Sequence, residues 1–294
     1  MAANTANLEK RDDALDLAQI RKTLVRMEDS IIFSLIERSQ YKMNSKVYEA
    51  DCEQLGEFKL HQLKSAGSNG CLGDWVIYQM ECVNAALGRY EHPTEYSFFS
   101  PLPERTLGPM HAPKEDILSS VPQACKVNRQ LLSIYRTQML PKLCQEGDCT
   151  NHGSTALQDM HCVQLMATRI YYGLFVAEAK FQQNQEFVTK LIQAQDRKGL
   201  MDFITNLEVE AKNIQRVILK ARIFAQNITL EQPAFGEPVQ RGKEEGGSIA
   251  LATQSGRGPT YKIDPNYMGE VFRDYLMPLT KEVEVEYLLA RLGS

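Results

Sequence analysis

Arg169 and Lys180 lie eleven residues apart in a stretch of helical periodicity. That spacing is close to three full turns, so both cations project from one face. Gly173 and Val176 fall between them on that face. The two backbone positions would be about 16 Å apart along the axis, and long cationic side chains leaning inward could grip a small flat dicarboxylate over the low floor left by Gly173. Two more pairs, Asn206 with Glu210 and Thr280 with Glu284, are four residues apart, so each sets a polar group and a carboxylate on one helical face. Arg21 sits at the edge of an apolar stripe, four residues after Leu17. Each set also has an ordinary reading: charges at helical spacing are usually a solvated surface, and a rim arginine usually snorkels.

Other chemistries find less support. Cys144, Cys149, His152 and His161 are of zinc-ligand type, but their spacings fit no common zinc module. The histidines and serines form no GxSxG or similar nucleophile signature. The Gly-Arg-Gly at 256–258 has no GKS or GKT after it and no strand before it, so it is not a phosphate loop.

The elements that must position these residues read as helices. From Leu17 the apolar residues recur at Ile20, Leu24, Met27 and Ile31, which predicts a long amphipathic first helix. A second, longer pattern predicts one helix from about Thr155 to about Gln195, preceded by the loop CQEGDCTNHGS and opened by a Thr155–Gln158 capping box. Two proline- or glycine-rich stretches, His92 to Lys114 and Pro233 to Pro265, predict loops, the second (about 233–262) being polar enough to be mobile. In the last segment Val283, Val285 and Tyr287 alternate with acids as in an edge strand. The leucines of LLARL need helical spacing, though, and Gly293 suits a C-cap, so a helix is predicted.

A chain of 294 residues with 43% hydrophobic side chains can bury one substantial core, and a single all-α domain over 1–294, with a tail over about 1–13, is expected. A net charge of −4 and no basic face argue against nucleic acid. The seven cysteines, odd in number and without a CxxC pair, read as reduced thiols of an intracellular protein. With no signal-like or membrane-spanning apolar run, a cytoplasmic protein is expected.

The blocks IRKTLVRMEDSIIFSLIERSQY, GRYEHPTEYSFF, ATRIYYGLFVAEAKFQ, ITNLEVEAK and PLTKEVEVEYLLARL resemble segments of fungal and plant chorismate mutases from about Asp16 to Leu292. The resemblance implies a bundle of about a dozen helices with the active site inside it, a homodimer, and no cofactor or metal. Arg21 and Arg169 match the family's two substrate-binding arginines, and Lys180 matches the lysine facing the ether oxygen. Asn206, Glu210, Thr280 and Glu284 match its remaining active-site positions.

The implied reaction converts chorismate to prephenate by a concerted pericyclic shift. It needs no nucleophile, only a compact conformer and stabilisation of charge as the C–O bond breaks. Arg21 and Arg169 would hold the two carboxylates, Lys180 and a protonated Glu284 would donate to the ether oxygen, and Glu210 would accept from the hydroxyl beside Asn206 and Thr280. A catalytically inactive protein of the same fold, acting as a regulatory partner, is the alternative. The resemblance also implies tyrosine and tryptophan as effectors near Arg89, Gly153 and Ser154, although Gly88, Leu157 and Asp264 depart from the fungal pattern.

Overall fold

The computed structural model describes residues 15–106, 118–119, 126–227 and 259–292. Expectations for the tail over 1–13, for most of the glycine-rich loop and for a cap at Gly293 lie outside the described residues. Those residues are all-α as expected, with one isolated bridge between Gln226 and Tyr261 in place of any strand.

Helix α1 spans Leu17–Ser39 and is capped by Asp16, whose carboxylate accepts from the Ala18 amide at 2.8 Å. Then come α2 (Gly56–Ser65), α3 (Leu72–Ala86), α4 (Asn128–Ile134) and α5 (Leu140–Leu143). The middle of the bundle is α6 (His152–Tyr171), α7 (Gly173–Gln183), α8 (Gln185–Gln193), α9 (Arg197–Ile204) and α10 (Leu207–Phe224). The chain closes with α11 (Pro265–Glu270) and α12 (Met277–Ala290). Two π-helical turns, Tyr135–Met139 and Val271–Leu276, join α4 to α5 and α11 to α12. Each precedes a proline, Pro141 and Pro278, which lacks an amide donor and whose ring would collide with the carbonyl four residues back; a wider turn relieves both problems.

The single long helix expected over 155–195 is three helices. At Tyr172 the backbone stays right-handed (φ −62°, ψ −17°), so the face of α6 carries on into α7. The true break is Asn184 (φ −137°, ψ 40°), where the polar run QQNQ marks the change but no glycine or proline does. The capping box is also absent. Helix α6 begins three residues before Thr155, whose hydroxyl instead accepts from the Asn44 side chain at 2.7 Å in the interior. The second predicted loop stops short of Pro265, which is the first residue of α11.

The core runs from Ile31, Ile32 and Leu35 of α1 through Met166 and Ile170 of α6 to Val283, Tyr287 and Leu288 of α12, all essentially inaccessible. Val285 is buried too, so the strand-like alternation belongs to a helix packed on more than one side. Helix α1 packs along α6 and α10, and α12 packs along α7 and α9. The first of these contacts is locked by fully buried Arg38, whose Nε donates to Asp159 on α6 at 2.6 Å. Tyr48 and Tyr135 donate to the same carboxylate at 2.6 and 2.7 Å, and the Arg38 guanidinium reaches the carbonyls of Tyr41, Lys42 and Met43. A buried pair so fully hydrogen-bonded leaves no charge uncompensated, which fixes the pose of α1 on α6. None of the helices is long and apolar enough, among the described residues, to cross a membrane.

Candidate active site

The N-terminal half of α1, the junction of α6 and α7, the start of α10 and the face of α12 surround a cavity of about 520 Å³. All seven residues singled out as catalytic or substrate-binding line it: Arg21, Arg169, Lys180, Asn206, Glu210, Thr280 and Glu284. Arg169 is 7% exposed, and burial holds its guanidinium below the usual arginine range while Glu28 and Glu284 oppose that shift. Its Nη1 donates to Thr280 Oγ1 at 2.8 Å, and the Thr280 hydroxyl donates in turn to the Leu276 carbonyl at 2.6 Å. Lys180, lowered chiefly by burial, donates from Nζ to the Ile204 carbonyl at the end of α9, at 2.6 Å. Glu284 is 6% exposed; burial pushes its carboxyl up to about 7, against the opposing pull of Lys180 and then Arg169.

Gly173 does not form the cavity floor. A Cβ there would lie 2.7 Å from Thr280 Cγ2 and 3.2 Å from Glu284 Cγ, so the missing side chain lets α12 press these two residues against α7. Asn206 is not in the body of a helix with Glu210 either. It caps α10, its Oδ1 accepting from the Val209 amide at 3.0 Å, which leaves its amide nitrogen as a donor.

Charge pairing divides the cavity's cations. Arg216 grips buried Glu28 through two bonds of 2.7 and 3.0 Å, Lys281 reaches Glu210 at 3.3 Å, and Lys212 pairs with Glu208 at 2.6 Å. Arg21, Arg169 and Lys180 have no carboxylate within ion-pair distance among the described residues. The cavity therefore offers a dianion three cations unpaired by carboxylates among the described residues, beside a buried acid whose carboxyl is pushed up to about 7.

No protein-family model matches the chain. A chloroplastic chorismate mutase 1 of Petunia hybrida is 39% identical over 281 residues, covering 95% of this chain and 77% of the relative. The chain belongs to the chorismate mutase family. A Candida albicans chorismate mutase solved in complex with L-Trp matches with a TM-score of 0.79 at 33% identity, covering 97% of this chain and 96% of that one. AtCM1 with tyrosine bound in its allosteric site matches with a TM-score of 0.73 at 35% identity, covering 96% and 99%.

Sequence reasoning missed Glu28, Arg216 and Lys281 of this chorismate mutase cavity. The signal for Glu28 was present: Arg21, Leu24, Glu28 and Ile31 recur at three and four residues, which puts two charges inside an otherwise apolar stripe. Arg216 carried no such mark until Glu28 was placed beside it.

The residues matching the chorismate mutase effector site are arranged differently. Arg89 donates from Nε and Nη2 to Glu95 at 3.1 Å and from Nη1 to Gln164 at 3.3 Å, and Glu95 also accepts from Thr168 at 3.2 Å. Gly153 and Ser154 are exposed in the first turn of α6, and Gly153 has no neighbour within 4 Å of a built Cβ. Gln164 is ten residues along α6 from Ser154, roughly 15 Å, so Arg89 does not meet that turn within one chain. Gly88 has φ 83°, a conformation that suits glycine, and a Cβ there would press on Arg105. Leu157 is 50% exposed, and Asp264 caps α11 through the Asn266 amide at 2.9 Å. Among the described residues no three metal-ligating side chains gather, and Cys144 and Cys149 instead meet Arg38 and Asn44.

Proposed function

We propose that this cavity binds chorismate and rearranges it to prephenate. As a member of the chorismate mutase family the chain is an isomerase. The observation that carries the reading is one cavity lined by three cations without ion-pair partners among the described residues, Arg21, Arg169 and Lys180, the last two acting on the buried Glu284 carboxyl. Arg21 and Arg169 take the two substrate carboxylates, and their forks fix orientation as well as charge. That grip holds the compact conformer in which the breaking C–O and forming C–C bonds align.

As the ether oxygen gains charge, Lys180 donates from an Nζ proton not engaged by Ile204, and Glu284 donates from its neutral form. A Glu284 carboxylate would repel that oxygen, so its burial serves the chemistry directly. Glu210, held by Lys281, accepts from the substrate hydroxyl. Thr280 orients Arg169, and the Asn206 amide completes the wall. No proton leaves the substrate and none is added, which is why a site without a nucleophile is adequate.

The purified chain incubated with chorismate should give saturable prephenate formation. Absence of prephenate from folded protein would favour the inactive regulatory reading.

We also infer a homodimer that binds tyrosine or tryptophan. AtCM1 with tyrosine in its allosteric site supports the ligand class. The separation of Arg89 from Gly153 and Ser154 supports a site built across two copies, in which one copy supplies the arginine and the other the amides of the first α6 turn.

A further inference from the structure

Arg169 is a buried cation with little holding it. Its only hydrogen bond among the described residues is the one to Thr280; its Nε is buried without a hydrogen-bond partner, and Glu28, the nearest acid on α1, is engaged by Arg216 and Lys220. One bond at Nη1 fixes only one of the guanidinium's nitrogens. What else bears on it is the ring of Phe272, fully buried, with the guanidinium carbon 5.8 Å above the ring centroid. That is within reach of the attraction between a cation and an aromatic face, which strengthens where water is excluded.

The sequence would not place Phe272 there in a regular helix. Eight residues separate it from Thr280, which in an α-helix would set the two about 80° apart around the axis. Phe272 sits in the π-helical turn Val271–Leu276, whose i→i+5 ring takes up one more residue than an α turn before the chain reaches Thr280. The remaining seven make roughly two α turns, so Phe272 and Thr280 face Arg169 together. Pro278, by forbidding a regular turn behind it, is the local cause.

We propose that Phe272 is a positioning residue for the rearrangement: its ring face and the Thr280 hydroxyl hold the Arg169 guanidinium from two directions and leave its remaining N–H groups aimed at a substrate carboxylate. The inference rests on the assignment of Arg169 to a substrate carboxylate.

The test replaces Phe272 by 4-fluoro-, 3,5-difluoro- and 3,4,5-trifluorophenylalanine in the full chain. Fluorine withdraws electron density from the ring face while nearly preserving shape and apolarity. Stepwise fluorination should raise KM for chorismate by about tenfold across the series, with kcat within about twofold and the melting temperature falling by only a few degrees. Phe272→Leu, which keeps the position apolar but removes the ring, should raise KM at least as much as the trifluoro protein does. A flat KM across the fluorinated series, in an assay where Arg169→Ala loses activity about a hundredfold, overturns the role of Phe272 and leaves the assignment of Arg169 intact. Should the fluorinated proteins fail to fold, an unchanged KM in Phe272→Leu overturns it equally. Full activity in Arg169→Ala removes the assignment and this inference with it.

Discussion

The cavity and the effector positions were both read from the same resemblance, yet they differ in how their arginines are held. Arg169 is buried and, among the described residues, meets no carboxylate and makes a single hydrogen bond, to Thr280. Arg89 is half-buried and already occupied by Glu95 and Gln164. An arginine kept free in the interior is costly unless a ligand completes it, whereas an arginine paired at the surface is an ordinary stabilising contact that a ligand must compete with. The first arrangement is lined by residues of one chain; the second would offer a ligand site only by losing an internal partner or gaining a second copy.

That contrast is broken most severely by removing the free cations. Arg169→Ala and Lys180→Ala should each lower kcat/KM by at least about a hundredfold, since each deletes a charged contact to a reacting dianion. A variant within roughly threefold of the parent, measured at subsaturating chorismate, would mean that the cavity has been misassigned.

A smaller effect is expected at Gly173, where packing and chemistry meet. Gly173→Ala drives a methyl into Thr280 and Glu284, so the fold should lose roughly 1–3 kcal/mol and activity should fall by about tenfold as both side chains shift. Denaturant melts and steady-state kinetics check the two halves. If stability falls while kcat/KM is unchanged, Gly173 serves packing alone.

The smallest effect sharpens the comparison from the surface side. Glu95→Gln removes the internal competitor for Arg89, and tyrosine or tryptophan should bind roughly threefold more tightly by calorimetry, in keeping with the modest strength of a partly exposed pair. Weaker binding would show that Glu95 orders Arg89 for the ligand instead of competing with it.

How far the sequence reached follows the same division. Helix α1 and the C-terminal helix were legible because apolar periodicity reports burial directly, and even the misleading alternation at Val283, Val285 and Tyr287 resolved once the leucines of LLARL demanded helical spacing. The pairs Arg169/Lys180 and Thr280/Glu284 were legible as shared faces, because helix geometry is local. The break at Asn184 was not, since neither glycine nor proline announces it, and the π turn that moves Phe272 is visible only as a proline whose consequence lies six residues upstream. The Glu28–Arg216 pair joins residues 188 positions apart, a tertiary fact that no local spacing encodes. Gly173 was noticed for the right reason, lack of bulk, and assigned to the wrong neighbour, because a sequence does not say which helix presses on a given face.

The central claim is that Glu284 works as a neutral donor in a buried site. Its carboxyl is pushed up to about 7 by burial, so the protonated fraction falls as pH rises through that value. The decisive measurement is the pH dependence of kcat/KM for the parent and for Glu284→Gln, whose amide donates without titrating. The parent should lose activity as pH rises through about 7, and Glu284→Gln should hold its activity across the same range. A folded Glu284→Gln protein that is inactive at every pH, or one that keeps the parent's alkaline decline, would contradict the donor role.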